Sequence, residues 1–494
     1  MPHVPTVIGA LVHRRPDVVP GWSSSLRGVK VLFATAELAP LARVGGLASA
    51  AAGYVAELRR QGVEVEVVMP DYGDVTVTNQ VSIELDVADW AAPATARHGH
   101  VAGVGDVTLV AVPGMARAHP YQQPDGRGWP DNDRRFFAFS AGVAALVELR
   151  SPDLVHLNDW HTATTLAHLA APPPAVLTIH TLGYQGDAHL GWLSVFPHRA
   201  ELYELRGDCN PLVGAIRAAD LVVAVSPNYA TEITTAAGGF GADHVLRAKG
   251  DRLVGILNGI DTVEWDPLAD PNLGVHYDVS DLDPKVTLRD ELLEEFSLTH
   301  GGGPVMVMVT RLAEQKGVDL VLPTIPFLHA LNARLVVLGS GDRGLAESLD
   351  SAAALHPDVV GFRDGYDEGL AHRMFAGADV FVMPSRFEPC GLAQMQAMRY
   401  GTLPLVTDVG GLHDTVVDVD RVPSRGTGIV VGDATSLAVL DGMHRMARAL
   451  GQSRRRQAMQ RRGMTADWSW AQPARAHIEW YERLVADAFA GTVR

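Results

Sequence analysis

The stretch that decides the fold begins Val29-Lys30-Val31-Leu32-Phe33-Ala34, passes through Gly45-Gly46 and ends Val63-Glu64-Val65-Glu66-Val67-Val68-Met69. The first run is short, apolar and β-branched, the pattern of a parallel strand buried on both faces. The glycine pair breaks the chain, and residues 47–59 are alanine-rich with apolar positions at helical spacing. Residues 63–69 return to strand character. Strand, glycine turn, helix and strand make a βαβ unit, the building block of a doubly wound sheet.

The alternation continues outward from this unit. Residues 107–112, 154–157, 175–179 and 221–225 predict strands, and residues 133–148 and 162–170 predict helices. After Asn258-Gly259 the cycle starts again. Residues 305–309, 335–338, 358–361, 380–383 and 403–406 predict strands, with helices over 317–330 and 392–400. The expected organisation is two α/β domains, over 29–250 and 251–470, facing across a deep cleft. An extension over 1–28 precedes them, and an aromatic-rich helix over 471–494 crosses back to the first. Such folds bind ligands at the carboxyl ends of their strands and between domains.

Charge narrows the partners. With 57 acidic and 41 basic residues the formal net charge is −16, which repels phosphate backbones and anionic lipid. Nucleic acid and membrane are therefore not expected partners, and no apolar run approaches the ~20 residues of a membrane span. The two cysteines, Cys209 and Cys390, lie far apart, suit a reducing cytoplasm and form no metal site by themselves.

Several residues fall where predicted strands end. Gly45-Gly46 opens a helix, where backbone amides approach an anion closely, and Arg43 stands beside it. Arg311 and Lys316 follow one strand, a placement that suits gripping a diphosphate and offsetting charge on a leaving group. His161 and His180 follow two successive strands and suit hydrogen bonds to sugar hydroxyls; no third ligand marks them as a metal site. Glu388, just before a helix and near Gly391, suits sugar hydroxyls or positive charge at an anomeric carbon. The plainer alternative is a carboxylate that complements the helix dipole. Gly410-Gly411-Leu412 repeats the earlier Gly-Gly-Leu and is expected to face it when the halves close.

In order, these segments resemble the glycogen/starch synthase family (glycosyltransferase family 5-like) from about residue 29 onward. Arg43-Val44-Gly45-Gly46-Leu47 resembles the family's opening Lys-x-Gly-Gly-Leu. Asp159-Trp160-His161, Thr178-Ile179-His180, Tyr184-Gln185-Gly186 and Gly365-Tyr366 also match, and the run from Pro384 to Leu392 is the most specific. The resemblance implies a GT-B fold of two Rossmann-like domains. It implies transfer of glucose, with retention, from ADP- or UDP-glucose to the non-reducing end of an α-1,4-glucan, with no metal or other cofactor. By matching position, Arg311 and Lys316 would hold the donor diphosphate, and His161 would contact the transferring sugar. Glu388, with Cys390, Gly391 and Leu392, would bind that sugar's hydroxyls. Arg43, Gly46, Asn258, Tyr366, Gly410 and Gly411 would line the donor pocket, and His180, Tyr184 and Gln185 the acceptor side.

The chain also departs from the family pattern. Arg43 replaces a lysine, Ser49 an aspartate, Thr181 an asparagine, and Thr407-Asp408-Val409 an Arg-x-Thr stretch. Arginine and lysine are not equivalent at such sites. Two other expectations follow from an altered pocket rim. One is a transferase that joins an unusual sugar or cyclitol to a maltose-like or amino-sugar acceptor, as in acarbose-type assembly. The other is a glucan-binding homologue without turnover. The sequence does not fix an oligomeric state.

Overall fold

The computed structural model describes residues 28–73 and 75–492, so the extension expected over 1–28 lies, apart from Gly28, outside the described residues. The first sheet is built on β1 (Lys30–Ala34), β2 (Glu64–Pro70), β3 (Thr78–Leu85), β4 (Ala94–Val101), β5 (Gly105–Ala111), β6 (Leu154–Asn158) and β7 (Ala175–Ile179). Two more strands, Leu221–Ala224 and Leu253–Gly255, complete it. The spatial order is Leu253–Gly255, Leu221–Ala224, β7, β6, β1, β2, β5, β4, β3. All neighbours are parallel except β3–β4 and β4–β5. Leu253–Gly255 pairs with Leu221–Ala224, so this sheet extends past the boundary expected at residue 250.

The second sheet is parallel throughout, in the order Val360–Asp364, Arg334–Gly339, Val305–Val309, Val380–Met383, Leu403–Thr407, Ile429–Val431. Each sheet reverses its winding at one place. In the first, β1 lies between β6 and β2; in the second, Val305–Val309 lies between Arg334–Gly339 and Val380–Met383. Connections leaving the strands on either side of such a switch point run on to opposite faces of the sheet, and a ligand crevice forms beside the strand ends there. The loops after β1 and β6 flank the first crevice. Those over 310–317 and 384–392 flank the second.

Some elements differ from expectation for local reasons. The helix predicted over 317–330 is a single turn, Val318–Val321, followed by a 3-10 segment, Leu322–Phe327. Pro323 and Pro326 supply no amide for continued α-helical bonding. The helix predicted over 162–170 shrinks to Thr165–His168, and the strand predicted over 358–361 lies at Val360–Asp364. The antiparallel pair β3–β4 was not expected: β3 is an almost wholly exposed edge, and its apolar alternation is confined to Val81, Ile83 and Leu85.

Helix Ala471–Thr492 crosses back onto the first lobe, against α1 (Gly46–Arg60). The Tyr481 hydroxyl lies 2.6 Å from the Tyr54 hydroxyl and also bonds His156 Nδ1. His156 Nε2 in turn meets Thr178 Oγ1 at 2.7 Å. Burial holds His156 well below its ordinary pKa, so the chain of bonds runs through a neutral ring. Tyr481→Phe should leave two buried groups one partner short, costing about 1–2 kcal/mol. A thermal midpoint lowered by a few degrees checks this; an unchanged midpoint would show that the bonds add nothing.

Candidate active site

The first-lobe wall is organised by a carboxylate. Glu37, at 4% exposure, accepts the amides of Val44 and Gly45 on Oε2, both at 2.9 Å. Its Oε1 accepts the Tyr121 hydroxyl at 2.7 Å. An internal anion thus already occupies the N-terminal approach to α1, where the helix dipole favours it. The glycine loop is not an empty anion cradle, although at Gly46 itself an added Cβ would meet nothing within 4 Å.

Tyr121 packs its ring 4.9 Å from that of His161, which also lies 4.7 Å from Phe136 and 4.3 Å from Trp160. His161 is buried, and its Nδ1 has no protein partner. Burial, with Arg135 nearby, pushes its pKa down to about 3, so the ring is neutral near pH 7. A fixed neutral imidazole offers one donor and one acceptor, a good match for a bound hydroxyl.

Asp159 closes β6 in a left-handed conformation, φ 53°, and its Oδ1 accepts the amides of His180 (2.7 Å) and Thr181 (3.3 Å). Burial outweighs these bonds and raises its carboxyl pKa to about 7. His180 Nε2 is paired with Asn158 Oδ1 at 2.9 Å. Its ring borders a cavity of about 20 Å³ shared with Asn258 and Trp470, room for one water molecule. Gln185 differs from its expected acceptor role. It is buried, its carbonyl accepts Asn210 Nδ2 (2.7 Å), and its amide donates to the Phe240 carbonyl (3.1 Å). Its side chain braces two loops, whereas Tyr184 is 58% exposed at the rim.

On the second lobe, the loops flanking the switch point meet each other. Lys316 Nζ donates to Glu388 Oε2 at 2.6 Å, and Ser385 Oγ donates to the same oxygen at 3.1 Å. Both bonds fall on Oε2, which leaves Oε1 of a carboxylate only 5% exposed to meet a ligand. The loops touch because Gly317 has no side chain: at φ 69° a Cβ there would lie 2.2 Å from the Pro384 carbonyl oxygen. Arg311 is exposed, its guanidinium 3.5 Å from Gln315 Oε1, and Gln315 is anchored to the Phe387 carbonyl at 3.2 Å. Cys390 is buried with its thiol pKa pushed up to about 12, so it is a neutral packing group at this turn. Gly391, at φ 70°, makes the turn, and Leu392 leads into helix Ala393–Arg399.

Gly410 and Gly411 brace this loop. A Cβ on Gly410 would lie 1.9 Å from the Glu388 carbonyl oxygen, and one on Gly411 2.1 Å from that of Cys390. Gly411 also donates its amide to the Glu388 carbonyl at 3.0 Å. The Gly410 amide bonds Glu232 of the first lobe at 2.8 Å. This pair therefore faces helix Pro227–Glu232, not Gly45-Gly46, and its bareness serves close packing of backbone on backbone.

The lobes also meet at the cleft mouth. Arg43 Nη1 donates to both oxygens of Glu368, at 2.6 and 2.7 Å, and Nη2 donates to Ser49 Oγ at 3.1 Å. Two departures from the family pattern, Arg43 and Ser49, are thus bonded partners. The Arg43 guanidinium lies 6.0 Å from the Tyr366 ring centre, and Tyr366 is 68% exposed. Glu264 joins the cluster; burial and a bond shared with Glu368 raise its pKa to about 7.

Known proteins resemble the chain across both lobes. Residues 30–248 match the starch synthase catalytic domain, and residues 303–447 match glycosyl transferases group 1. A glycogen synthase of Halorhodospira halophila is 40% identical over 483 residues, covering 93% of this chain and 99% of its own. The chain belongs to the glycogen synthase family. A glycogen synthase of Thioalkalivibrio sulfidiphilus is 39% identical over 485 residues, again across its whole length. The catalytic domain of starch synthase IV from Arabidopsis thaliana, solved with ADP and acarbose, superposes with a TM-score of 0.83 at 30% identity, covering 93% of this chain and 99% of that one. Sucrose-phosphate synthase from Thermosynechococcus elongatus shares the fold, with a TM-score of 0.59 at 17% identity, over 93% of this chain and all of its own.

As a glycogen synthase relative, the chain is a glycosyltransferase with two Rossmann-like lobes. Its motif residues Arg43, His161, Lys316, Glu388 and Tyr366 stand at strand ends or on the loops beyond them, in the two facing lobes. Sequence reasoning missed Glu37 and Tyr121, which fix the Gly45 loop and the His161 ring. The one available signal was a carboxylate close behind a buried strand and eight residues before Gly45. Among the described residues, no helix is long and apolar enough to cross a membrane.

Proposed function

We propose that this enzyme transfers glucose from ADP-glucose to the non-reducing end of an α-1,4-glucan, retaining the anomeric configuration. The observation that carries the reading is the Lys316–Glu388 pair, 2.6 Å apart, at the second sheet's switch point. It combines a cation for a diphosphate with a carboxylate oxygen for a sugar hydroxyl. The starch synthase relative solved with ADP and acarbose supports an adenosine diphosphate product and an oligosaccharide-like acceptor.

In this reading the bond from the anomeric carbon to the donor phosphate oxygen breaks as Lys316 and Arg311 neutralise the leaving diphosphate. The acceptor hydroxyl oxygen bonds that carbon on the same face, and its proton passes to the departing phosphate oxygen. His161 and Glu388 Oε1 hold hydroxyls of the transferring sugar, and the exposed Tyr366 ring offers a face for the base. Two side-chain cations supply the positive charge, so neither metal nor cofactor is invoked. We place the enzyme in the cytoplasm, in keeping with its two free buried cysteines.

Incubation with ADP-glucose and a maltooligosaccharide tests the reading. It predicts ADP release and a mass-spectrometric ladder rising one glucose at a time. No ladder with any nucleoside-diphosphate glucose would contradict it.

A further inference from the structure

Phe240 is an aromatic residue where backbone geometry argues against one. It lies in Gly238-Gly239-Phe240-Gly241 with φ 45°, a left-handed conformation that a bulky side chain adopts only under strain. Strained residues of this kind persist where their surroundings over-determine them, often at ligand sites. Here the Gln185 amide holds the Phe240 carbonyl at 3.1 Å. The strain does not serve core packing, because Phe240 is 44% exposed.

Its surroundings place it at the cleft. The Phe240 ring meets Phe387 of the opposite lobe, with centres 5.5 Å apart and planes at 69°. Bare backbone lies against the tips of both: a Cβ on Gly183 would lie 3.7 Å from the Phe240 ring and 3.8 Å from the Phe387 ring. The two rings, in edge-to-face contact and bordered by glycine, make a shallow aromatic notch with the part of Phe240 that stays exposed. One wall, Phe387, is covalently next to Glu388, and the glycine border continues into exposed Tyr184. A pyranose presents apolar C–H faces as well as hydroxyls, and the apolar faces match exposed aromatic rings.

We propose that Phe240 is an acceptor-binding residue, its ring stacking on a glucosyl unit of the incoming α-1,4-glucan and setting that chain's approach to Glu388. The inference rests on the proposed glucosyl transfer and adds the residue that selects the acceptor. Gln185 then acts one step removed, as the brace that keeps the ring in place.

The test compares wild type with Phe240→Ala, Phe240→Gly and Phe240→Tyr, using maltoheptaose and ADP-glucose. Loss of the ring should raise the acceptor KM about five- to tenfold. The donor KM should stay unchanged, and kcat at saturating maltoheptaose should stay within about twofold, as expected when binding common to ground and transition states is removed. Phe240→Tyr should restore the acceptor KM. Phe240→Gly, which relieves the backbone strain, should be as defective as Phe240→Ala, whereas a merely structural role would be rescued by glycine. An unchanged acceptor KM in Phe240→Ala, or an equal loss toward donor, would overturn the proposal. Calorimetric titration of maltoheptaose in the presence of ADP separates this from failure of the transfer reading. If wild type turns over no donor, weaker maltoheptaose binding by Phe240→Ala still upholds the notch and unchanged binding overturns it. A wild type that binds no maltoheptaose overturns the notch as well.

Discussion

Lys316→Ala should lower kcat for glucosyl transfer by about 10²–10³-fold, the scale of losing one preorganised charge at a developing anion. The lysine serves two anions in turn. In the free enzyme it neutralises Glu388, whose carboxylate is buried and whose other partner is Ser385. In the proposed reaction it would meet the departing diphosphate. Removing it therefore raises the barrier and leaves a buried acid short of its cation, at a stability cost of about 1–3 kcal/mol. The chain stays folded, because the loops are also held by the Gly317–Pro384 contact and by Arg386, which bonds both carboxylate oxygens of Asp319 at 2.8 and 2.7 Å. Lys316→Arg keeps the charge but spreads it over a planar fork, and should recover only part of the rate. Lys316→Ala combined with Glu388→Ala should lose much less than the sum of the single losses, since paired residues act as one unit. Steady-state kinetics with circular dichroism as the fold control provide the readout; near-normal turnover by Lys316→Ala would remove the lysine from the mechanism.

Glu37→Ala should be nearly as damaging, with an expected fall in kcat of about 10²-fold. Its side chain collects the amides of Val44 and Gly45 and the Tyr121 hydroxyl. Truncation leaves these donors without their acceptor, costing about 1–3 kcal/mol for each that stays buried. Two parts of the site then lose definition together. The Arg43–Gly46 loop no longer has its internal anion, and Tyr121 no longer fixes the ring against which His161 packs. Glu37→Gln should rescue poorly, because its amide turns donors toward donors. The check is kcat together with limited proteolysis of the loop. Wild-type kinetics and an unchanged cleavage pattern would show that the loop is held by other contacts.

The contrast between Lys316 and Glu37 shows which features the sequence makes legible. Lys316 and Glu388 were readable because their loops leave short apolar strands, and strand ends at a switch point are where charged residues can meet a ligand. The βαβ start was readable because β1 is apolar from Val31 to Ala34 and β2 from Val67 to Met69, the mark of buried parallel strands. Glu37 was not readable, because its meaning depends on Tyr121, 84 residues away, and on amides that no side-chain pattern reveals. Gly410-Gly411 misled in the opposite way. A glycine pair looks the same in sequence whether a phosphate or another backbone approaches it, and here the Glu388 and Cys390 carbonyls do. Gln185 sits in a family-like motif at the acceptor side, yet its amide is consumed by Asn210 and Phe240. The proline-broken segment after Val318–Val321 was readable in principle, and apolar periodicity concealed it.

The proposed transfer requires the diphosphate to lie between the lobes, against the loops that carry Arg311 and Lys316. A crystal structure of the enzyme with ADP tests this most directly. The terminal phosphate is expected within hydrogen-bonding distance of Lys316 Nζ and the Arg311 guanidinium, with the base over Tyr366. A diphosphate held elsewhere, with Lys316 still bonded only to Glu388, would contradict it.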